Sequence, residues 1–285
     1  MITQGMIYQI GKCELRVIIL SAILFFIFCS FCSMAHAQID DDYQAYVQAA
    51  NSVLTALGQN DTTGVQNGLP SLIDAEENLS RELEVALHKV QAAVTTGDPY
   101  AGTDSNLSNT TYLVNFSALH RQLAIDYANL WLQAVDSQDG VEETKQIALD
   151  GFSDALSFSE QAVSDITPLM EYVNSLSSLP PVLLVDVPRE VSFASIDDVR
   201  LRVVIRNEGD EPAQNVLVSL QSTSESGEVT TQKATLETIG GKSQIAHTFN
   251  IQVPADTTSM TVSVSVSALN SSGDFAVTTL NFASP

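Results

Sequence analysis

The sequence predicts a helical bundle followed by a β-sandwich, both placed behind an N-terminal export signal. Three observations support this order. Residues 12–38 have the composition of a leader, apolar residues then recur every three or four positions, and beyond Leu179 they recur at every second position. The period changes at Pro180 and Pro181. We therefore predict three segments, namely a signal peptide at 1–37, a helical bundle domain at 38–179 and a sandwich domain at 180–285.

The leader has the charge and apolar pattern of a secretory signal. Lys12 and Arg16 precede an apolar run over residues 17–31, and Ala35-His36-Ala37 offers a small-residue cleavage site after Ala37. Because residues 17–34 could just span a thin membrane, retention as a signal anchor is the alternative. In both cases we expect an extracellular or cell-surface location, since the basic residues lie before the apolar run.

Composition excludes several classes of partner. The chain carries 34 acidic against 12 basic residues, a formal net charge of -22. Such a field repels nucleic acid and anionic membranes and attracts cations nonspecifically, so membrane contact is expected only through an uncleaved leader.

The mature chain is also expected to have no disulfide, and its length of about 248 residues (285 − 37) can supply a core without one. All cysteines fall in the leader: Cys13, Cys29 and Cys32.

Four amphipathic stripes predict the four helices of an antiparallel bundle. We expect a loop over the breaker-rich residues 58–68, a helix start near Pro70, a further loop up to Ser108, and a kink or break at Pro168. The third stripe is the clearest of the four. Its members are Tyr112, Phe116, Leu119, Leu123, Tyr127, Leu130 and Ala134.

Alternating segments in the last hundred residues predict about seven short strands. Val199, Leu201, Val203 and Ile205 alternate with polar residues, as expected of a half-buried strand. This density of strands and turns is typical of an immunoglobulin-like sandwich. Turns are expected at residues 207–210, 226–227, 240–241, 254–256 and 272–274.

Three stretches of this half carry a resemblance to a known family. They are LRVVIRNEGDEPAQNVLV at 201–218, IGGKS at 239–243 and FNIQVP at 249–254. Together they resemble the cell-adhesion-related bacterial domain called CARDB. The resemblance implies a seven-stranded sandwich from exported bacterial or archaeal surface proteins, used as a spacer or adhesive module without catalysis. It covers about a third of the chain, and the helical half resembles no family that we identify.

The sequence offers no constellation of catalytic residues, and we predict neither an enzyme nor a bound cofactor. His88, His120 and His247 have no partner at catalytic spacing. Glu84 precedes His88 by four residues, whereas the carboxylate-bundle metal motif needs three, so no metal site is assigned and His88 is expected to be solvated. The acids at 136–143 lack calcium-loop spacing and are expected to flank a helix start.

Two surface features remain as candidate sites. Alternation places Arg200, Arg202 and Arg206 on the outward face of one strand. This stripe could dock the acidic bundle or an anionic polymer, or its arginines could simply pair with neighbouring acids. The second feature is a set of possible N-glycosylation triplets at Asn60, Asn78, Asn106, Asn109, Asn115 and Asn270.

From these observations we predict an exported, cell-surface-associated, non-catalytic protein with a structural, adhesive or protein-interaction role. Its partner would be a protein or a surface polymer, bound over an area rather than in a pocket. One alternative is a membrane-anchored solute-binding or sensory ectodomain, which a deep pocket between helices would favour. Another is an accessory subunit of an extracellular assembly, which an exposed apolar patch would favour.

Overall fold

The computed structural model describes residues 38–96 and 103–283, with side chains omitted at residues 95, 96, 103–106 and 272. The predicted leader lies outside the described residues. Within them the chain forms two compact units. The bundle unit comprises residues 38–83 and 113–167, and the sheet unit comprises 84–96, 103–112 and 168–283. The domain boundary expected after residue 179 stays a prediction.

The first half of the chain is helical, as predicted. Helix α1 covers residues 38–58, and three helices of 35 residues each follow: α2 Thr62–Thr96, α3 Thr103–Ser137 and α4 Val141–Ser175. None of the helices in the described part of the chain combines the length and the apolar character that a membrane span requires.

The predicted loop at residues 58–68 is wrong, because α2 begins at Thr62 and Pro70 lies inside it. Asp61 explains the early start, since its Oδ1 accepts a hydrogen bond from the Gly64 N–H at 2.9 Å, as a helix N-cap does. Val65 and Leu69 then bury this first part of the helix. The predicted loop to Ser108 is likewise too long, since α3 begins at Thr103.

Helix α4 runs as one helix through Pro168, so the alternative of two shorter helices is wrong. In the turn that precedes the proline, Thr167 Oγ1 donates a hydrogen bond to the Val163 carbonyl at 2.7 Å. The two compact units nevertheless divide between Thr167 and Pro168.

Of the predicted stripe of α3, only Ala134 lies on the buried face. Tyr112, Leu119 and Leu130 are exposed by 57%, 54% and 43%. The buried face includes small and polar residues such as Ser117 and Ala124 and the buried charge of Arg121. The buried residues of α3 in the bundle unit are Leu113, Val114, Ser117, Arg121, Ala124, Ile125, Ala128, Trp131 and Ala134.

The second half is a β-sandwich, which confirms the predicted fold class of helices followed by strands. Two sheets share one apolar core, with orders β1-β3-β6 and β2-β8-β7-β4-β5. All pairs are antiparallel except β2 with β8. The strands are β1 Leu183–Asp186, β2 Glu190–Phe193, β3 Val199–Asn207, β4 Ala213–Ser224, β5 Val229–Ile239, β6 Ser243–Ile251, β7 Ser259–Ala268 and β8 Ser271–Phe282.

Four of the five predicted turns lie between strands, and the fifth is misplaced. Residues 272–274 belong to β8, and the chain reverses at Leu269 and Asn270 instead. The register of β7 against β8 shifts between Val266 and Ala268, as at a β-bulge. The turn therefore precedes the Ser-Gly-Asp sequence at 272–274.

The turn between β3 and β4 is organised by a single buried amide. Asn207 is 1% exposed, and its Oδ1 accepts hydrogen bonds from the N–H groups of Val182 and Gly209 at 3.1 and 3.0 Å. Its Nδ2 donates to the Glu211 carbonyl at 2.7 Å. Gly209 is required here, since a Cβ would lie 1.9 Å from the Pro180 carbonyl oxygen. The Pro-Pro segment is thus bonded to the sheet unit.

Candidate functional site

Three side chains of the sheet unit converge with the geometry of a metal-binding cluster. Glu84 and His88 lie four residues apart on α2 and therefore share one helix face. Asp274 comes from β8. One ligand atom from each residue lies within 4.8 Å of the other two, and the Nε2 of His88 is 3.3 Å from Oδ1 of Asp274. We call these residues the Glu-His-Asp cluster.

Exposure increases across the cluster from Asp274 to Glu84. The side chain of Asp274 is 7% exposed and that of His88 14%, whereas Glu84 is exposed. His88 is thus mostly buried, and the expectation that it is solvated is wrong. Its Nδ1 is buried and has no hydrogen-bond partner in the described part of the chain.

Two backbone N–H groups fix the carboxylate of Asp274. The Val185 N–H of β1 donates to Oδ2 at 2.7 Å, and the Phe275 N–H donates to Oδ1 at 2.7 Å. Because β1 and β8 belong to different sheets, the carboxylate links the two layers of the sandwich. A carboxylate held in this way keeps its position.

The cluster has an excess of negative charge, which affects the pKa values of Glu84 and His88. Loss of hydration raises the pKa of the Glu84 carboxyl, and the like charges of Asp274 and Asp186 raise it further against the opposing effect of His88. Burial by itself would lower the pKa of His88. The hydrogen bond to Asp274 and the charges of Asp274 and Glu84 outweigh burial, so the net shift of the His88 pKa is upward.

An ion-pair chain runs across neighbouring residues of the same unit. Nε of Arg206 is 2.6 Å from Oδ2 of Asp186, and its Nη1 is 2.8 Å from Oε1 of Glu208. Lys89, next to His88 in sequence, lies 3.6 Å from the other Glu208 oxygen. Arg206 is therefore held by acids rather than available as part of an open cationic stripe.

The other predicted arginines lie at more exposed positions. Nε of Arg200 is 2.8 Å from Oδ1 of Asp198, with both side chains about two-thirds exposed. Arg202 is also exposed. Arg200 and Arg206 thus have acidic neighbours, as in the alternative of simple pairing, and the interaction role of the stripe stays a prediction.

The predicted glycosylation asparagines occupy several kinds of position. Asn78, Asn109 and Asn115 are exposed on helices, whereas the side chain of Asn106 lies outside the described residues. The other two have hydrogen-bonded side chains. Asn60 Oδ1 accepts from Lys145, and Asn270 bonds the β4 backbone through the Gln214 N–H and the Pro212 carbonyl. Glycosylation stays a prediction at all six positions.

A second feature of the sheet unit is a broad surface without charges. Side chains that point outward from β4, β7 and β8 lie next to one another across the three adjacent strands. For example, Ser265 of β7 lies opposite Ser219 of β4 on one side and Phe275 of β8 on the other. Phe275 and Val277 are 68% and 49% exposed. We call this surface the neutral face. It consists of Leu217, Ser219, Gln221, Thr223, Thr261, Ser263, Ser265, Ser267, Phe275, Val277 and Thr279.

The bundle unit contains a closed polar cluster that differs from both surfaces. Arg121 is fully buried, and its guanidinium donates hydrogen bonds to the hydroxyl groups of Ser80, Ser117 and Ser159 at 2.7–3.1 Å. Glu76 lies 3.9 Å from Nε of Arg121 and accepts from Ser80 at 2.6 Å. Burial lowers the pKa of Arg121, partly offset by the charge of Glu76. This cluster joins α2, α3 and α4.

Comparisons with known proteins found similarity only among solved structures. No protein-family model matches the chain, and no curated protein matches it. It is similar to the CARDB domain of the PF1109 protein from Pyrococcus furiosus, described as a complex with di-metal ions. The identity is 19% over 38% of this chain and 94% of that one, with a TM-score of 0.30.

Two other structures show similar levels of likeness. A family 123 glycoside hydrolase from Clostridium perfringens is 13% identical over 33% of this chain and 22% of that chain, with a TM-score of 0.26. A superoxide reductase (neelaredoxin) from Ignicoccus hospitalis is 12% identical over 36% and 82%, also with a TM-score of 0.26. TM-scores of 0.30 and 0.26 are too low to assign a function to this chain.

Sequence reasoning noticed Glu84 and His88 but assigned them no metal. A spacing of four places two side chains on one helix face as well as a spacing of three does, so the pair could have been marked as half a site. Asp274 had no such signal, because it lies 186 positions beyond His88 and its inward direction depends on the irregular β7–β8 register.

Proposed function

We propose that this protein is an exported, cell-surface-associated, non-catalytic protein that adheres to a partner through the neutral face. The leader supports the exported location, and the CARDB-like stretches at 201–218, 239–243 and 249–254 support an adhesive module. Membership of the CARDB family is part of this proposal. Adhesion is the part that the geometry of the sheet unit supports.

The absence of charge on the neutral face is the observation that carries the proposal. The chain has a net charge of -22, yet the outward positions of three adjacent strands hold no Asp, Glu, Lys or Arg. Charged residues occur on the flanking strands, as with Lys233 on β5 and Glu190 on β2. Interface centres are depleted in charge in the same way and have polar rims.

The chemistry of the neutral face favours an uncharged polymer rich in hydroxyl groups, such as a neutral polysaccharide. Serine and threonine hydroxyls both donate and accept hydrogen bonds. Phe275 offers an exposed ring as a flat apolar platform, with Val277 beside it. An anionic polymer would gain nothing from this face and would be repelled by the acidic remainder of the chain.

Affinity electrophoresis tests the proposal with the leaderless chain. The protein is run in native gels that contain dextran, mannan or a soluble cellulose derivative, and its mobility is compared with that in gels without polymer. We expect at least one neutral polymer to retard the protein. Phe275→Asp should weaken retardation at least tenfold, because it places a charge on the face and removes its exposed aromatic platform.

Tyr112→Asp is the matched control, since Tyr112 is an exposed aromatic residue on α3, 57% exposed, and lies outside the neutral face. It should leave the retardation unchanged. Equal mobility with and without every polymer, or equal loss in the two variants, would contradict adhesion through this face.

A further inference from the structure

We propose that Glu84, His88 and Asp274 bind one divalent transition-metal ion of the zinc class. The site would join the helix face of α2 within the sheet unit to the start of β8. This inference is independent of the proposed adhesive function, because none of its three ligands belongs to the neutral face.

The distance between His88 and Asp274 fits two ligands of one metal ion. Zn²⁺ binds imidazole nitrogen and carboxylate oxygen at about 2.0–2.2 Å, so two corners of a tetrahedral site lie about 3.4 Å apart. The observed distance from Nε2 to Oδ1 is 3.3 Å. The hydrogen bond that these two atoms form without a metal is longer than the roughly 2.7–2.9 Å of a charge-assisted contact.

The third ligand can reach the same ion by a small movement. Glu84 has its ligand oxygen within 4.8 Å of the other two donor atoms, and its side chain is exposed. A glutamate with solvent on one side can change rotamer at little cost. The fourth position faces this exposed side, where water can complete the coordination.

The surroundings orient the ligands before any ion arrives. Asp274 has the outer-shell support typical of metal sites, because the N–H groups of Val185 and Phe275 bind both of its oxygens. His88 is mostly buried by its neighbours; its ring bonds Asp274 through Nε2, and its Nδ1 has no hydrogen-bond partner in the described part of the chain.

Charge also favours a cation at this point. The like charges of Asp274 and Asp186 act on the Glu84 carboxylate, and His88 and Arg189 oppose them. Arg206 is already bonded to Asp186 and Glu208. A divalent ion between Glu84 and Asp274 would relieve repulsion that the fold otherwise sustains.

The donor set selects the class of metal. Calcium takes six to eight oxygen ligands and magnesium requires octahedral oxygen coordination, neither of which suits an imidazole with two carboxylates. One nitrogen and two oxygens suit Zn²⁺, Co²⁺ or Mn²⁺. We therefore expect zinc-class ions to bind in the presence of excess calcium and magnesium.

Isothermal titration of the metal-stripped leaderless chain with Zn²⁺, in millimolar Ca²⁺ and Mg²⁺, tests the site. The excess of hard cations occupies the diffuse acidic surface. We expect one equivalent to bind, and Glu84→Gln, His88→Gln and Asp274→Asn each to weaken binding at least tenfold. His247→Gln is the matched control, because it removes an imidazole of the sheet unit outside the cluster, and it should leave binding unchanged.

Cobalt spectroscopy gives a second readout that a purely structural hydrogen bond would not affect. One equivalent of Co²⁺ should produce visible absorption bands that disappear in His88→Gln and persist in His247→Gln. Glu84→Gln keeps the test valid if the buried variants fail to fold, since Glu84 is exposed. The proposal is overturned if no stoichiometric Zn²⁺ binding occurs in excess Ca²⁺, or if Glu84→Gln binds Zn²⁺ as tightly as the unaltered chain.

Discussion

The two units of the molecule bury charge in different ways. In the bundle unit, Arg121 and Glu76 are 0% and 3% exposed in their side chains, and serine hydroxyls from three helices bind them. In the sheet unit, the charged cluster runs from buried Asp274 to exposed Glu84 and keeps a side open to solvent. The first arrangement is enclosed by protein groups, with only Nε of Arg121 lacking a hydrogen bond in the described part of the chain, whereas the second has a side open to solvent.

This contrast shows that burial of a charge does not by itself mark a functional site. A closed network lowers the cost of its own desolvation and specifies how helices pack. A binding site must also be reachable from solvent. By that criterion Arg121 is structural, and the Glu-His-Asp cluster is the candidate for binding.

The largest expected effect comes from breaking the closed cluster. Arg121→Met leaves Glu76 buried without its cation, and we expect the bundle unit to lose about 3–5 kcal/mol of unfolding free energy. Urea unfolding followed by Trp131 fluorescence measures this loss, because Trp131 is the chain's one tryptophan and is fully buried in the bundle unit.

The double variant Arg121→Met/Glu76→Met provides the control for this experiment. Replacing both charges by apolar side chains should recover most of the lost stability. A double variant as unstable as the single one would show that shape, rather than the unpaired carboxylate, determines the loss.

Asn207, the buried amide in the turn between β3 and β4, should give the next largest effect. Asn207→Ala removes the acceptor for the Val182 and Gly209 N–H groups and the donor to the Glu211 carbonyl, so we expect a loss of about 2–4 kcal/mol. Faster hydrogen exchange in peptides from β3 and β4 would measure this loss of stability. Unchanged exchange in those peptides would show that water replaces the amide.

The smallest effect is expected at the exposed arginines. Arg200→Ser removes a pair whose side chains are about two-thirds exposed, so sheet-unit stability should change by less than about 0.5 kcal/mol. Arg206→Ser should cost more, because Arg206 is 20% exposed and binds both Asp186 and Glu208. Equal decreases in the thermal stability of the two variants would contradict the expectation that the less exposed Arg206 contributes more.

The period of apolar residues was sufficient to predict the order of helices and strands. The buried faces of α1 and α4 show the same recurrence every three or four residues, with Ala50 and Val53 buried on α1 and Phe152 and Ile166 on α4. The predicted stripe was wrong for α3, because buried Arg121 and Ser117 interrupt the apolar pattern of the true core face. A polar cluster closed by partners from other helices has no signature within one helix.

The candidate site was only partly predictable for a related reason. The spacing of Glu84 and His88 is visible in the sequence, whereas their meeting with Asp274 depends on how the β7–β8 hairpin turns. The neutral face was missed because Ser and Thr alternating with Val indicate a strand without showing that three such strands lie side by side.

Zn²⁺-dependent unfolding tests the contrast between the two units most directly. A ligand held only by the folded sheet unit at one hundred times its dissociation constant should stabilise that unit by about 2.7 kcal/mol. We predict that Zn²⁺ slows hydrogen exchange in β1 and β8 in the unaltered chain and in Arg121→Met/Glu76→Met, but not in Glu84→Gln. Protection in Glu84→Gln equal to that in the unaltered chain, or none in either, would contradict the assignment of an open site to the sheet unit.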